Sequence, residues 1–189
     1  MVEGRLFILS GPAGTGKGTL RERLFAAIDT LSYSVSCTTR LPRPGEVDGK
    51  DYFFISEPQF LKMVDEGGFL EWAHVHKHLY GTPTKEILEA IGMGKNVVIE
   101  VDVQGARQIR EKLPQAIGIF IRPPSMEDLE RRLRSRGTED EQAIAVRLTN
   151  AQYEMSSIQD YQYVIVNDDV ERASAELIHL VQELIKIKS

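Results

Sequence analysis

No feature restricts the fold of this chain as tightly as the run Gly11-Pro12-Ala13-Gly14-Thr15-Gly16-Lys17-Gly18-Thr19, which follows directly on the apolar segment Leu6-Phe7-Ile8-Leu9-Ser10. A glycine-dense turn between a buried strand and a helix lets several backbone N–H groups converge on one anion. The helix N-terminus adds its partial positive charge. Lys17 supplies a mobile point charge for a nucleotide's phosphates. Gly11, Gly16 and Lys17 have the Walker A spacing, but Gly18 stands where that pattern carries Ser or Thr, and Thr19 offers a hydroxyl one place later. Leu20, Leu24 and Ile28 recur every four residues, so the segment after the turn reads as a helix with one buried face.

Three further segments, Asn96–Val101, Ala116–Ile121 and Tyr163–Val166, are short, β-branched and almost continuously apolar, as strands buried on both faces are. Helices are expected after each: Gln104–Lys112, a helix opened by the capping pattern Ser125-Met126-Glu127-Asp128, and Glu171–Lys186 with Ala175, Ile178, Val181 and Ile185 on one side. This alternation predicts an α/β fold in which a phosphate loop opens a doubly wound parallel sheet covered on both faces. The stretch from Ser34 to Ile91 breaks the rhythm. It mixes short strands (Tyr52–Ile55, Phe69–Val75), one helix (Pro58–Glu66) and turn signals at Pro44-Gly45 and Asp48-Gly49. It reads as an inserted mixed α+β lobe, residues 34–91, set into a core formed by 1–33 and 92–189. The arginine-rich span 131–147 reads as a second insertion candidate, and the whole chain of 189 residues as one domain.

The formal net charge of −5 argues against general nucleic-acid binding, while local arginine clusters still suit a small phosphorylated ligand. One cysteine, Cys37, precludes an internal disulfide and fits a reducing, cytosolic setting; no apolar run approaches the ~18 residues that span a bilayer. His74, His76 and His78 alternate as metal ligands on a strand can, but nothing nearby completes such a site.

Within the insertion, Ser34-Val35-Ser36-Cys37-Thr38-Thr39-Arg40-Leu41-Pro42-Arg43-Pro44-Gly45-Glu46-Val47-Asp48-Gly49-Lys50-Asp51-Tyr52 holds two arginines three apart in a proline-bound turn. Phe69-Leu70-Glu71-Trp72-Ala73 and Leu79-Tyr80-Gly81-Thr82-Pro83 follow it. In order and spacing these motifs, with the phosphate loop and Val166-Asn167-Asp168-Asp169, make the chain similar to guanylate kinases over nearly its whole length. Lys77-His78 departs from the Gly-Asn usual in that family. The resemblance implies a kinase that moves the γ-phosphoryl group of ATP to GMP. Gly11 to Thr19, with Asn167 and Asp168, would hold ATP. Arg40, Arg43, Tyr52 and Tyr80 would hold the GMP phosphate, and Ser36, Glu71, Thr82 and Asp102 would surround guanine. Guanine presents N–H donors that ionised carboxylates accept; adenine has no donor at N1. Lys17, Arg40, Arg132, Arg136 and Arg147 would supply catalytic positive charge, the last three from a lid of helices over 126–158 that the resemblance also implies.

The attacking phosphate oxygen is already anionic, so no protein general base is expected; alignment and charge cancellation do the work. Mg²⁺ would travel with ATP, assisted by the Thr19 hydroxyl or by water on Asp102. With no feature dedicated to a ribose 2′-hydroxyl, dGMP is expected as a second acceptor. Two other readings are weighed. A catalytically silent interaction module of the same family is disfavoured by the retention of Gly16, Lys17, Thr19, Arg40, Arg43, Glu71 and Asp102. A kinase for AMP, suggested by Gly-Lys-Gly-Thr, is disfavoured by the two acids. The oligomeric state is not encoded in any of these motifs.

Overall fold

The computed structural model describes residues 4–75, 77–135 and 140–187. The chain begins β1 (Leu6–Ser10), α1 (Lys17–Ala27), β2 (Leu31–Tyr33), β3 (Cys37–Thr38), β4 (Phe53–Phe54), α2 (Glu57–Asp65), β5 (Phe69–Val75) and β6 (His78–Pro83). It continues α3 (Thr84–Gly92), β7 (Asn96–Glu100), α4 (Val103–Lys112), β8 (Ile117–Arg122) and α5 (Met126–Ser135). Last come α6 (Glu141–Ser156), a 3₁₀ turn (Ile158–Asp160), β9 (Tyr163–Val166) and α7 (Val170–Lys186).

Five strands form a parallel sheet in the order β2-β7-β1-β8-β9. All five residues of β1 are buried, and their alternation feeds two cores. Phe7 and Leu9 pack with Leu20 and Leu24 of α1 and Leu177 and Val181 of α7. Leu6 and Ile8 pack with Ile87 of α3 and with Val103, Ala106 and Ile109 of α4. Helices thus cover both faces, and the expected doubly wound sheet is present. The buried stripe of α7 runs through Ala173, Leu177, Val181 and Leu184. Ala175 is exposed and Ile178 and Ile185 lie at the stripe's margin, so the expected face was rotated. Alanine is small enough for either side of a helix, and its weak burial preference misplaced the stripe.

A second, mixed sheet has the order β4-β3-β6-β5. Phe60 of α2 stacks on Phe69, ring centroids 4.3 Å apart, and together with Cys37 and Leu79 they form a separate small core. The β5–β6 register slips between Phe69, opposite Pro83, and Glu71, opposite Thr82, so Leu70 is a bulge. The extra residue lets Phe69 and Trp72 both meet the α2 core although an uninterrupted strand would point them oppositely. Leu70 is thereby sent into the core under α4, with Glu71 beside Gly105 of that helix. β5 is an edge strand, and α4 covers the edge: Gln108 accepts from the Trp72 N–H and donates to its carbonyl, both at 3.2 Å, and Lys112 Nζ donates to the Phe69 carbonyl at 2.6 Å. α3, absent from the expectation, lies between the two sheets in sequence and packs Ile87 against the parallel sheet.

Candidate active site

The loop between β1 and α1 is shaped by glycines that the fold demands. Gly11 has φ +136°, and a Cβ there would lie 2.0 Å from the Ile121 carbonyl oxygen. Gly16, at φ +86°, precedes α1 with no side-chain cap, and the first turn of α1 carries no acid. Its orphan N–H groups open on a crevice of about 320 Å³ lined by Ala13, Gly14, Gly16, Lys17, Gly18, Thr19 and Glu100. An uncapped, acid-free helix start of this kind is an anion seat. Thr15, fully buried, points inward instead, its hydroxyl bonded to the Pro12 carbonyl. Lys17 Nζ donates to the carbonyls of Gly11 at 2.5 Å and Pro12 at 3.0 Å. Burial pushes its pKa down, against the opposing pull of Glu100, Glu154 and Asp102.

Asn167, at the end of β9, is buried, and its Nδ2 donates to the Thr15 carbonyl at 2.7 Å. Its own carbonyl accepts from Arg132 Nη2 at 2.7 Å, so it braces the loop and parks an arginine of α5. Asp168 lies on the surface in an ion pair with Arg172, and Asp169 caps α7. Arg147 and Glu154 of α6 line a cleft of about 680 Å³ that reaches Ala13 of the loop. The neighbouring Arg131 and Arg134 form surface ion pairs with Asp128 and with Glu130 and Glu141. Arg136 and His76 lie outside the described residues.

The mixed sheet carries the second constellation. Arg40 Nε donates to the Tyr80 hydroxyl at 3.2 Å, and its guanidinium lies 5.5 Å from the Tyr52 ring centroid. Tyr52 and Tyr80 meet edge to face at 5.8 Å. Burial raises the Tyr52 pKa, keeping the phenol a donor. Arg43 is exposed nearby. Across the sheet, Glu71 and Thr82 are opposite each other, and Cys37 opposite Gly81 puts Ser36 one step along in line with Thr82. The Thr82 hydroxyl donates to Glu71 Oε1 at 2.5 Å in a buried site. Burial raises the Glu71 pKa, and the Thr82 hydroxyl opposes that shift.

Asp102 caps α4, its Oδ1 accepting from the Gly105 N–H at 2.8 Å. Its charge raises the pKa of Glu71 and steadies protonated Lys17, which links the two constellations. Two acids near Lys17 were not anticipated. Glu100 ends β7, held by Arg21 at 3.2 Å, and Glu154 of α6 has its pKa pushed up to about 7 by burial. A carboxylate at the tip of a buried strand is a signal the sequence offers; a single Glu in a helix carries none.

Thr19 and Glu100 give oxygen donors beside the anion seat, while Asp102 already spends one oxygen on its helix. Among the described residues no group of three potential ligands gathers. That donor set fits Mg²⁺ arriving with phosphates and retaining its waters. A phosphate loop on a doubly wound sheet, joined by a small second sheet that carries its own cation and buried acid, is the architecture of a phosphoryl-transfer enzyme.

The guanylate kinase family pattern matches residues 3–184. A guanylate kinase of Caldanaerobacter subterraneus subsp. tengcongensis is 49% identical, over 90% of this chain and 83% of its own. One of Rubrobacter xylanophilus is 45% identical over 98% and 97%. The crystal structure of guanylate kinase from Anaplasma phagocytophilum superposes with a TM-score of 0.77 at 32% identity, covering 98% of this chain and 88% of that one. A shikimate kinase of Bacteroides thetaiotaomicron, at TM-score 0.52 and 16% identity, shares the fold alone. The chain belongs to the guanylate kinase family and is an ATP:GMP phosphotransferase.

Proposed function

We propose that the two constellations divide the reaction between them, the β1–α1 loop holding ATP and the mixed sheet holding GMP. The observation that carries this is the buried Glu71–Thr82 pair in line with Ser36, set apart from the cationic group of Arg40, Tyr52 and Tyr80 on the same sheet. An acceptor-only carboxylate suits guanine N1–H and N2–H, and the guanidinium and phenol donors suit a dianionic phosphate. Arg43 adds charge from the rim, and Asp102 borders the base with its remaining oxygen. On the donor side Gly11 to Thr19 wrap the ATP phosphates, with Asn167 as the brace beneath and Asp168 outside.

Lys17 leaves its two carbonyls for the phosphates. Arg132 and Arg147 approach from α5 and α6, Arg132 by leaving the Asn167 carbonyl, and Arg136 adds its positive charge. The GMP phosphate oxygen attacks the γ-phosphorus of ATP and the bond to the ADP oxygen breaks, with the cations cancelling charge along the way. Thr19 and Glu100 would hold Mg²⁺ arriving with ATP, which would supply neutralisation of phosphate charge. dGMP is a second acceptor, and the cytosol is the setting that provides these nucleotides.

The test is a panel of nucleoside monophosphates offered with ATP to the parent protein and to Glu71→Gln. The parent is expected to prefer GMP and dGMP to AMP by roughly 10⁴-fold, the scale of a site that hydrogen-bonds its substrate. Glu71→Gln is expected to lose most of that preference. Unchanged selectivity would remove Glu71 from the base site.

A further inference from the structure

We infer that Glu46 is a positioning residue for the acceptor phosphate, acting through Arg40; the inference rests on the proposed role of Arg40. Pro44 and Gly45 occupy the middle of a turn closed by the Glu46 N–H on the Arg43 carbonyl at 3.0 Å, and Gly45 has φ +90°. Proline then a left-handed glycine is the type II pattern. This turn folds Glu46 back on the residues that precede it. Glu46 Oε2 accepts from Arg40 Nη1 at 2.8 Å and from the Arg43 backbone N–H at 2.7 Å, and Oε1 accepts from Arg40 Nη2 at 2.9 Å. The guanidinium and the Arg43 N–H hold the Glu46 carboxyl at a pKa of about 2, so it is ionised wherever the protein works.

The guanidinium has five N–H groups. Nε serves Tyr80, Nη1 serves Leu41 O and Glu46, and one N–H of Nη2 serves Glu46. One Nη2 N–H remains for a ligand. Because the Tyr80 oxygen accepts from Nε, its own hydrogen is left to donate elsewhere. Glu46 therefore fixes the fork so that one N–H of Arg40 and one O–H of Tyr80 present together, and it brings the local charge of Arg40, Arg43 and Glu46 to a single positive unit. The alternative is a placeholder that leaves when phosphate arrives. Leaving would break three charge-assisted bonds anchored by a closed turn, and the brace is the arrangement the geometry favours.

The two roles predict opposite signs. Titration calorimetry with GMP alone, on the full chain, compares the parent, Glu46→Gln, Arg40→Ala and the double variant. For a brace, Glu46→Gln weakens GMP about tenfold or more, the scale of one charged hydrogen bond. The KM for ATP stays at the parent value, Glu46→Asp recovers part of the loss, and Glu46→Gln adds nothing once Arg40 is Ala. Unchanged or tighter GMP binding in Glu46→Gln overturns the brace. If Arg40→Ala itself binds GMP like the parent, the phosphate role of Arg40 fails instead, so the two failures are told apart.

Discussion

Replacing Thr82 by Val removes one hydroxyl from a buried site with almost no change in volume. That hydroxyl is a donor to Glu71 at 2.5 Å, with Thr82 only 1% exposed and Glu71 8%. A hydrogen bond to the ionised carboxylate is worth about 1.5–3 kcal/mol and one to its neutral form about 0.5–1.5. The difference, about 1–1.5 kcal/mol, is close to one pH unit on the Glu71 titration. The folded pKa of Glu71 is already raised above its unfolded value by burial. The folded state therefore keeps a proton the unfolded chain gives up, and stability from this group falls as pH rises through that interval. Thr82→Val extends the interval upward. Its loss of stability should be larger at pH 8 than at pH 5 by about 2–6 °C in melting temperature for a chain this long. GMP binding should weaken on acidification from a point about one pH unit higher than in the parent protein. Calorimetric melts and GMP titrations across pH test both effects. An equal loss at the two pH values, or a larger loss at pH 5, refutes the argument that the hydroxyl supports the charged form.

Other consequences are as direct. Gly18 has no left-handed φ and open space around its missing Cβ, so Gly18→Ala should leave the melting temperature at or above that of the parent. Gly18 lines the crevice proposed to hold ATP, so ATP-dependent GDP formation should fall with the added methyl group; full turnover would show that the space is not used by ATP. Glu154, raised to about 7 by burial, contributes stability at low pH that is lost between its ordinary range and neutrality. Glu154→Gln should match the parent's melting temperature near pH 5 and exceed it at pH 8; a pH-independent difference would refute the assignment.

The parallel sheet was legible because its central strands are apolar runs, and the loop because only certain residue types build it. β2 and β3, at three and two residues, are too short for any period to register. α3 was hidden by its start at Thr84, straight after the Tyr-Gly-Thr-Pro segment that drew the reading toward ligand contacts. At the site, Arg40 meets Tyr80 and Glu71 meets Thr82, residues the sequence had singled out by type without indicating these pairings. Asn167 proved a buried brace because an amide can satisfy a loop carbonyl as well as a base, and sequence does not choose between them. Glu46 was passed over although the Pro44-Gly45 turn was visible: the turn announces a reversal of direction, and only coordinates reveal which side chain that reversal returns to Arg40.

The extra residue at Leu70 has a cost for any redesign of this strand. Deleting that residue would restore an even pleat in which Phe69 still faces α2 and Glu71 still faces α4, and the core beneath α4 would lose its buried leucine. The irregularity therefore adds one buried apolar contact next to the acid without altering which way the acid points, and a graft of the hairpin onto another scaffold needs it only where that scaffold supplies a helix for the leucine to meet.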